Sequence, residues 1–229
     1  LTLLDRLHAE GLAESAEVSV KLSALGQKVD EKLAEDNAWR ICAAAEQCRT
    51  TVTVDMEDHT TTDSTLRVVA DLRRTWPWVG AVMQSYLRRT ESDLAELAVP
   101  HSRVRLVKGA YAEPPQVAFP AAHDVDLSFV RCVNALLSGG GYPMFATHDP
   151  RLIEVIADRA RVHRKQPGSY EFQLLYGVRP DEQVRLAQAG QSVRVYVPYG
   201  EQWYGYLMRR LAERPANAAF FLRALASRS

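Results

Sequence analysis

"VRLVKGAY", residues 104–111, is an apolar, β-rich run that stops on a lysine, a glycine and a tyrosine. Alternation along a strand puts Arg105 on the opposite side from Val104 and Leu106, so it faces either an enclosed interior or the covering helices. An arginine in either place is rarely fully buried without an anionic partner. Its polar end, not its apolar body, makes this run informative, and the same format recurs along the chain.

The other runs are "EVSVKLS" (17–23), "TVTVDME" (51–57), "GAVMQSY" (80–86), "PMFATHD" (143–149), "YEFQLLYG" (170–177) and "VRVYVPYG" (193–200). Helical patterns lie between and after them, at 31–48, 62–75, 91–98, 124–138, 150–163, 181–189 and 201–213. Threonines and aspartates near 62, and Pro150 and Pro180, suit helix starts. Gly190 and the Gly139–Gly141 run follow helices, as C-terminal caps do. Strict alternation predicts a parallel sheet, either doubly wound or a (βα)8 barrel. No strand is followed by G-x-G-x-x-G, which speaks against a dinucleotide fold. A barrel instead gathers functional side chains at the C-terminal ends of many strands. Such residues are present: Lys21, Asp55 with Glu57, Gln84, Arg105 with Lys108 and Tyr111, Thr147 with His148, and Tyr196. The fold expected is an α/β (βα)8 TIM-type barrel, one strand short of eight, forming a single domain over 1–229.

Composition narrows the function classes. Apolar residues make up 47% of the 229, enough for a sizeable core. Lysine plus arginine equals aspartate plus glutamate at 28 each, so no global charge argues for nucleic acid or an anionic membrane. No apolar run approaches the roughly 20 residues that span a bilayer. Cys42, Cys48 and Cys132 sit in helical patterns and read as buried thiols in a reducing compartment. The opening "LTLLDRLHAEGLAE" begins mid-helix without an initiator methionine, and the chain is expected to be trimmed there.

Three chemistries suit the expected mouth. Asp55, Glu57, His148 and Asp149 could hold a divalent metal for a lyase or hydrolase. Lys21 or Lys108 could form a Schiff base. Arg105 and Lys108 could hold a cofactor, leaving an anionic substrate to the last helix, where "YGYLMRRLAERP" (204–215) stacks Tyr206, Arg209 and Arg210 on one face. Paired guanidinium forks match a carboxylate, although a solvated face has the same pattern. Spacing alone leaves these open, as it leaves open a catalytically silent barrel scaffold.

"VSVKLSALG", "VTVDMED", "VMQSYLRR", "VRLVKGAY", "FATHD", "YEFQLLYG" and "YLMRRLAE", in this order, resemble the proline dehydrogenase family, from about residue 17 to the end. The likeness is to its short monofunctional bacterial members. It implies an FAD-dependent barrel that oxidises L-proline to Δ1-pyrroline-5-carboxylate by hydride transfer from proline C5 to flavin N5. It further implies that Arg209 and Arg210 bind the proline carboxylate, with Tyr206 on the same substrate and Tyr196 and Leu106 lining the pocket. Lys21 and Asp55, with Arg105 the catalytic set, would lie on the substrate side as an ion pair shaping the pocket, Asp55 as general base being the less favoured role, with Tyr111 on the rim. Gln84 and Arg105 would hydrogen-bond the isoalloxazine, Arg105 near N5. Lys108, Gly109 and Ala110 would meet the phosphates and ribityl chain, and Thr147 and His148 would support the flavin and its adenosine half. Ala112 stands where long members carry a tryptophan. The resemblance also implies a membrane-borne quinone as electron acceptor, pyrroline-5-carboxylate dehydrogenase downstream, and a cytoplasmic site peripheral to the inner membrane face. Family members carry one more strand and an acidic loop before the first helix, so unpaired sheet edges are expected at 17–23 and 193–197.

Overall fold

In the computed structural model, residues 1–200 are described. A short helix α1 (Thr2–Ala9) leads into β1 (Glu17–Lys21), and strands and helices then alternate: α2 (Glu31–Gln47), β2 (Thr51–Asp55), α3 (Thr62–Arg73), β3 (Gly80–Gln84), α4 (Thr90–Leu97), β4 (Arg103–Val107), α5 (Ala122–Ser138), β5 (Tyr142–Ala146), α6 (Pro150–Val162), β6 (Glu171–Leu175), α7 (Pro180–Gln188) and β7 (Val193–Tyr196). All strand pairs are parallel, in the sequential order β1 to β7. Sequential parallel pairing with a helix in each crossover gives the curled sheet of a TIM-type barrel. The expected helix at 201–213, with Tyr206, Arg209 and Arg210, lies outside the described residues.

Local chemistry sets the boundaries. The Asp30 side chain accepts from Lys32 N at 2.9 Å and caps α2, and Asp149 accepts from Arg151 N at 3.1 Å and caps α6. Pro150 and Pro180 open their helices, where a missing N–H costs nothing. Gly190 follows α7 with a left-handed φ of +77°, as expected of a helix stop. The run Gly139–Gly141 does something else. Gly139 is extended (φ −75°), and a Cβ on Gly139 or Gly141 would collide with Ala98 or Ser102 on the α4–β4 connection. These glycines permit close packing.

Strand alternation separates two layers. Outward-facing Val52, Val54, Val104, Leu106, Phe145, Phe172 and Leu174 pack with helix residues such as Leu72, Phe129, Val133 and Ile156, all buried. Cys42, Cys48 and Cys132 are buried thiols in or beside α2 and α5, as the sequence suggests. Burial pushes Cys42 and Cys132 up to about 12, which keeps both protonated and inert. Among the described residues β1 and β7 end the strand order, and no ladder joins them. Side chains do bridge this gap: Arg194 Nη1 donates to Ser15 O at 3.0 Å.

Candidate active site

Arg105 is the middle residue of β4, 5% exposed, and points into the barrel. Its Nε donates to Gln173 Oε1 (2.5 Å), its Nη1 to Ser19 Oγ (3.0 Å) and Asp55 Oδ1 (2.6 Å), and its Nη2 to Glu17 Oε1 (3.1 Å). A guanidinium has five N–H donors, so most of this one is committed to β1, β2 and β6. It also lies 5.5 Å from the ring centroid of Tyr196, whose hydroxyl donates to Asp55 Oδ2 at 3.2 Å. The choice between interior and helix layer is settled: Arg105 is an axial side chain below the mouth, not a strand-end group.

Below it, at the N-terminal ends of the strands, the floor is a charged network. Glu17 accepts from Arg103 Nη2 at 2.6 Å, from Arg105, and from Thr53 Oγ1. Glu171 accepts from Arg194 Nε (2.8 Å), Gln173 Nε2 (2.5 Å) and Tyr142 Oη (3.2 Å). A Cβ at Gly80 would collide with Thr53, so only glycine leaves room there. Burial works to raise the Glu17 carboxyl, but Arg103 and Arg105 outweigh it and hold the group below its ordinary value.

The mouth is arranged differently. Lys21 pairs with Asp55 in register across β1 and β2, yet the expected ion pair between them does not form. Asp55 is taken by Arg105, and Lys21 Nζ donates instead to Tyr111 Oη at 3.4 Å on the exposed rim. Burial pushes the Asp55 carboxyl above its ordinary value, an effect that Arg105 and Lys21 only reduce. Glu57 accepts from Ser23 N (3.1 Å) and Ser23 Oγ (2.7 Å), and its backbone oxygen accepts from Gln84 Nε2 at 2.7 Å. That fixes the Gln84 amide, whose Oε1 is buried and without a partner among the described residues. Leu106 does not line this interior. Fully buried on the opposite face of β4 from Arg105, it packs in the helix layer, as strand alternation requires. The leucine on the interior side is Leu175, in register with Tyr196.

The remaining candidates form one flank of the mouth. Lys108 Nζ lies 2.6 Å from Asp126 Oδ1 and 3.2 Å from Asp149 Oδ2. A hydrogen bond from Arg151 outweighs partial burial and, with Lys108, holds the Asp149 carboxyl far below the usual range. Gly109 takes a φ of +108°, and a Cβ there would stand inside the Tyr86 ring. Ala110 is exposed beside it. Thr147 Oγ1 accepts from Asp149 N at 3.2 Å. His148 Nε2 accepts from Leu175 N at 2.9 Å. The four candidate metal ligands therefore have separate engagements: Asp55 with Arg105, Glu57 with Ser23, His148 with Leu175, and Asp149 with Lys108 and Arg151. Among the described residues no three His, Cys, Asp or Glu side chains are grouped to bind a metal.

A curled parallel sheet whose strand ends collect polar groups above a buried axial arginine has the architecture of a TIM-barrel enzyme. Comparison with known proteins narrows the class. The proline dehydrogenase family model matches residues 3–223, and the chain belongs to that family, whose reaction opens proline catabolism. It is 43% identical over 206 residues to proline dehydrogenase 2 of Bacillus subtilis, covering 90% of this chain and 68% of that protein. Proline dehydrogenase of Deinococcus radiodurans is 43% identical over 230 residues, covering 98% and 74%. Among solved structures, a variant of proline utilization A from Bradyrhizobium japonicum superposes with a TM-score of 0.78 at 25% identity, covering 96% of this chain and 27% of that one. Proline utilization A of Bdellovibrio bacteriovorus, inactivated by N-propargylglycine, gives 0.76 at 26% identity, covering 84% and 24%. The chain thus spans about a quarter of those long proteins.

Proposed function

We propose that this chain, one barrel domain over 1–229, oxidises L-proline to Δ1-pyrroline-5-carboxylate with FAD as its cofactor. Gln84 carries the cofactor reading. Its Nε2 is spent on Glu57, and its buried Oε1 is an acceptor facing no donor among the described residues. Such an atom is costly unless a ligand supplies the N–H, and a flavin ring has one. When bound, FAD supplies the two-electron acceptor for the hydride that leaves proline C5.

The chain's own residues do the rest. Arg105 sets a fixed positive charge on the axis under the mouth, where it favours negative charge developing on the cofactor ring. Asp55, which accepts from the Tyr196 hydroxyl, holds that guanidinium from the substrate side. Lys108, Gly109, Ala110, Thr147 and His148 flank the cofactor, and Arg151 shares Asp126 and Asp149 with Lys108, so that flank can accept an anion without stranding a carboxylate. Lys21 and Tyr111 form the substrate rim. The family resemblance gives Arg209, Arg210 and Tyr206 the proline carboxylate. The amine gives its proton to solvent, so no dedicated base is needed. Electrons pass on to a membrane-borne quinone from a cytoplasmic, peripherally attached enzyme, and pyrroline-5-carboxylate dehydrogenase consumes the product.

Purified protein with FAD should show flavin absorbance that bleaches anaerobically on adding L-proline. N-propargylglycine should abolish the bleaching with time. Retained FAD with no response to proline would sink the substrate reading, and failure to retain FAD would sink the cofactor reading.

A further inference from the structure

One buried carboxylate near the mouth has no part in the chemistry above. The Glu113 side chain is 3% exposed and lies in the loop after β4. It accepts from His59 N (2.9 Å) and Tyr86 Oη (3.2 Å) and makes a short contact with His59 Nδ1. His59 opens a short 3-10 helix (His59–Thr61) after β2, and Tyr86 lies in the loop after β3. A carboxylate is held in such a place only when its partners are good ones.

The rest of this loop is tied down by its backbone. Ser85 N and Tyr86 N donate to Val107 O and Lys108 O, and on the return Phe119 N donates to Tyr86 O and Arg88 N to Val117 O. The tip between these ties carries exposed Ala110, Tyr111 and Ala112, and Tyr111 reaches Lys21. Gly109, pressed on the Tyr86 ring, and Glu113, bonded to the Tyr86 hydroxyl, bracket the tip from either side.

We propose that Glu113 is a positioning residue for substrate binding: by locking residues 109–113 onto His59 and Tyr86, it holds Tyr111 over Lys21 as a fixed rim. This rests on the proline reading. A rim of this kind acts on ligand residence and leaves hydride transfer itself alone, so its loss belongs in KM.

The test uses the full chain with FAD bound. In Glu113→Ala, amide exchange over 109–113 should speed by about tenfold. KM for L-proline should rise by about tenfold with kcat within about twofold. Glu113→Gln can still accept from His59 N and Tyr86 Oη and should stay near wild type in both measures. If the alanine variant does not fold, Glu113→Asp, too short to reach both partners, carries the same expectation. Faster exchange with unchanged KM would overturn the proposal, as would unchanged exchange, or KM and kcat worsening together with no rescue by glutamine. Wild-type protein inert to proline would overturn the proposed function, while exchange would still report on the lock.

Discussion

Glu17 and Lys21 begin and end the same strand, and their surroundings differ in kind. At the floor, Glu17 is enclosed by three arginines and a threonine, and its carboxyl is held below its ordinary value. At the mouth, Lys21 is exposed, Asp55 is pushed up by burial, and Gln84 keeps a buried oxygen unmatched among the described residues. Arg105 belongs to both regions, touching Glu17 below and Asp55 above. The floor spends most of its polar groups on one another, although Arg103 Nε is buried without a partner among the described residues. The mouth holds some back, as a binding site must.

Removing the shared residue should have the largest effect. Arg105→Met strands Glu17 and Asp55 together, and breaking a buried pair typically costs roughly 3–5 kcal/mol. Denaturant melts should show a loss of this size, and proline-driven flavin reduction should slow by about 10²–10³ in any folded fraction. Stability within about 1 kcal/mol of wild type would mean that the interior charges are not coupled.

Glu17→Gln probes the floor alone. One charge-assisted partner is lost, so about 1.5–3 kcal/mol of stability should go while KM for proline stays within about twofold. A large change in KM would break the division between floor and mouth.

Acidity should separate the two carboxylates by sign. Glu17 binds its proton more weakly in the folded chain, so it stabilises above its unfolded value, and this is lost as pH falls through the lowered folded value. Asp55 binds its proton more tightly when folded, so its contribution is present at low pH and lost as pH rises through the raised value. In melts between about pH 3 and pH 7, the deficit of Glu17→Gln should close on acidification. Asp55→Asn should instead gain on wild type as pH rises. Parallel curves for the two variants would contradict the contrast.

Tyr196→Phe should have the smallest effect. It removes one neutral donor to Asp55 and leaves the ring over Arg105, so about two- to tenfold in kcat/KM is expected with little change in stability. A larger loss would place the hydroxyl on the substrate itself.

Much of the fold was legible because the signal is local. Alternation fixed which segments are strands, and Pro150, Pro180 and Gly190 marked helix ends by their own chemistry. The same alternation should have excluded Leu106 from the pocket once Arg105 was placed inside, and it singles out Leu175 through Glu171 and Gln173. Glu17, Arg103, Glu171, Gln173 and Arg194 were missed, although each keeps to a period of two within its strand. Their pairings were illegible for a different reason: Glu17 meets Arg103 and Arg105 across 86 and 88 residues, and only the curl of the sheet makes them neighbours. The expected Lys21–Asp55 pair failed likewise, because nothing local reveals that Arg105 competes for Asp55.

The charged floor also bears on how the sheet assembles. The strands that supply its charges, β1, β4, β6 and β7, each set an apolar face against a polar one; in "RVRLV" Arg103 and Arg105 share one face and Val104 and Leu106 the other. Sliding β4 by one residue would thrust Arg103 and Arg105 among Phe129 and Val133 and leave Leu106 facing Glu17. Each misaligned pairing is therefore penalised twice, once for the displaced charge and once for the carboxylate it abandons. The ions in this barrel act as a key: beyond what they add to the native basin, they raise the walls around it.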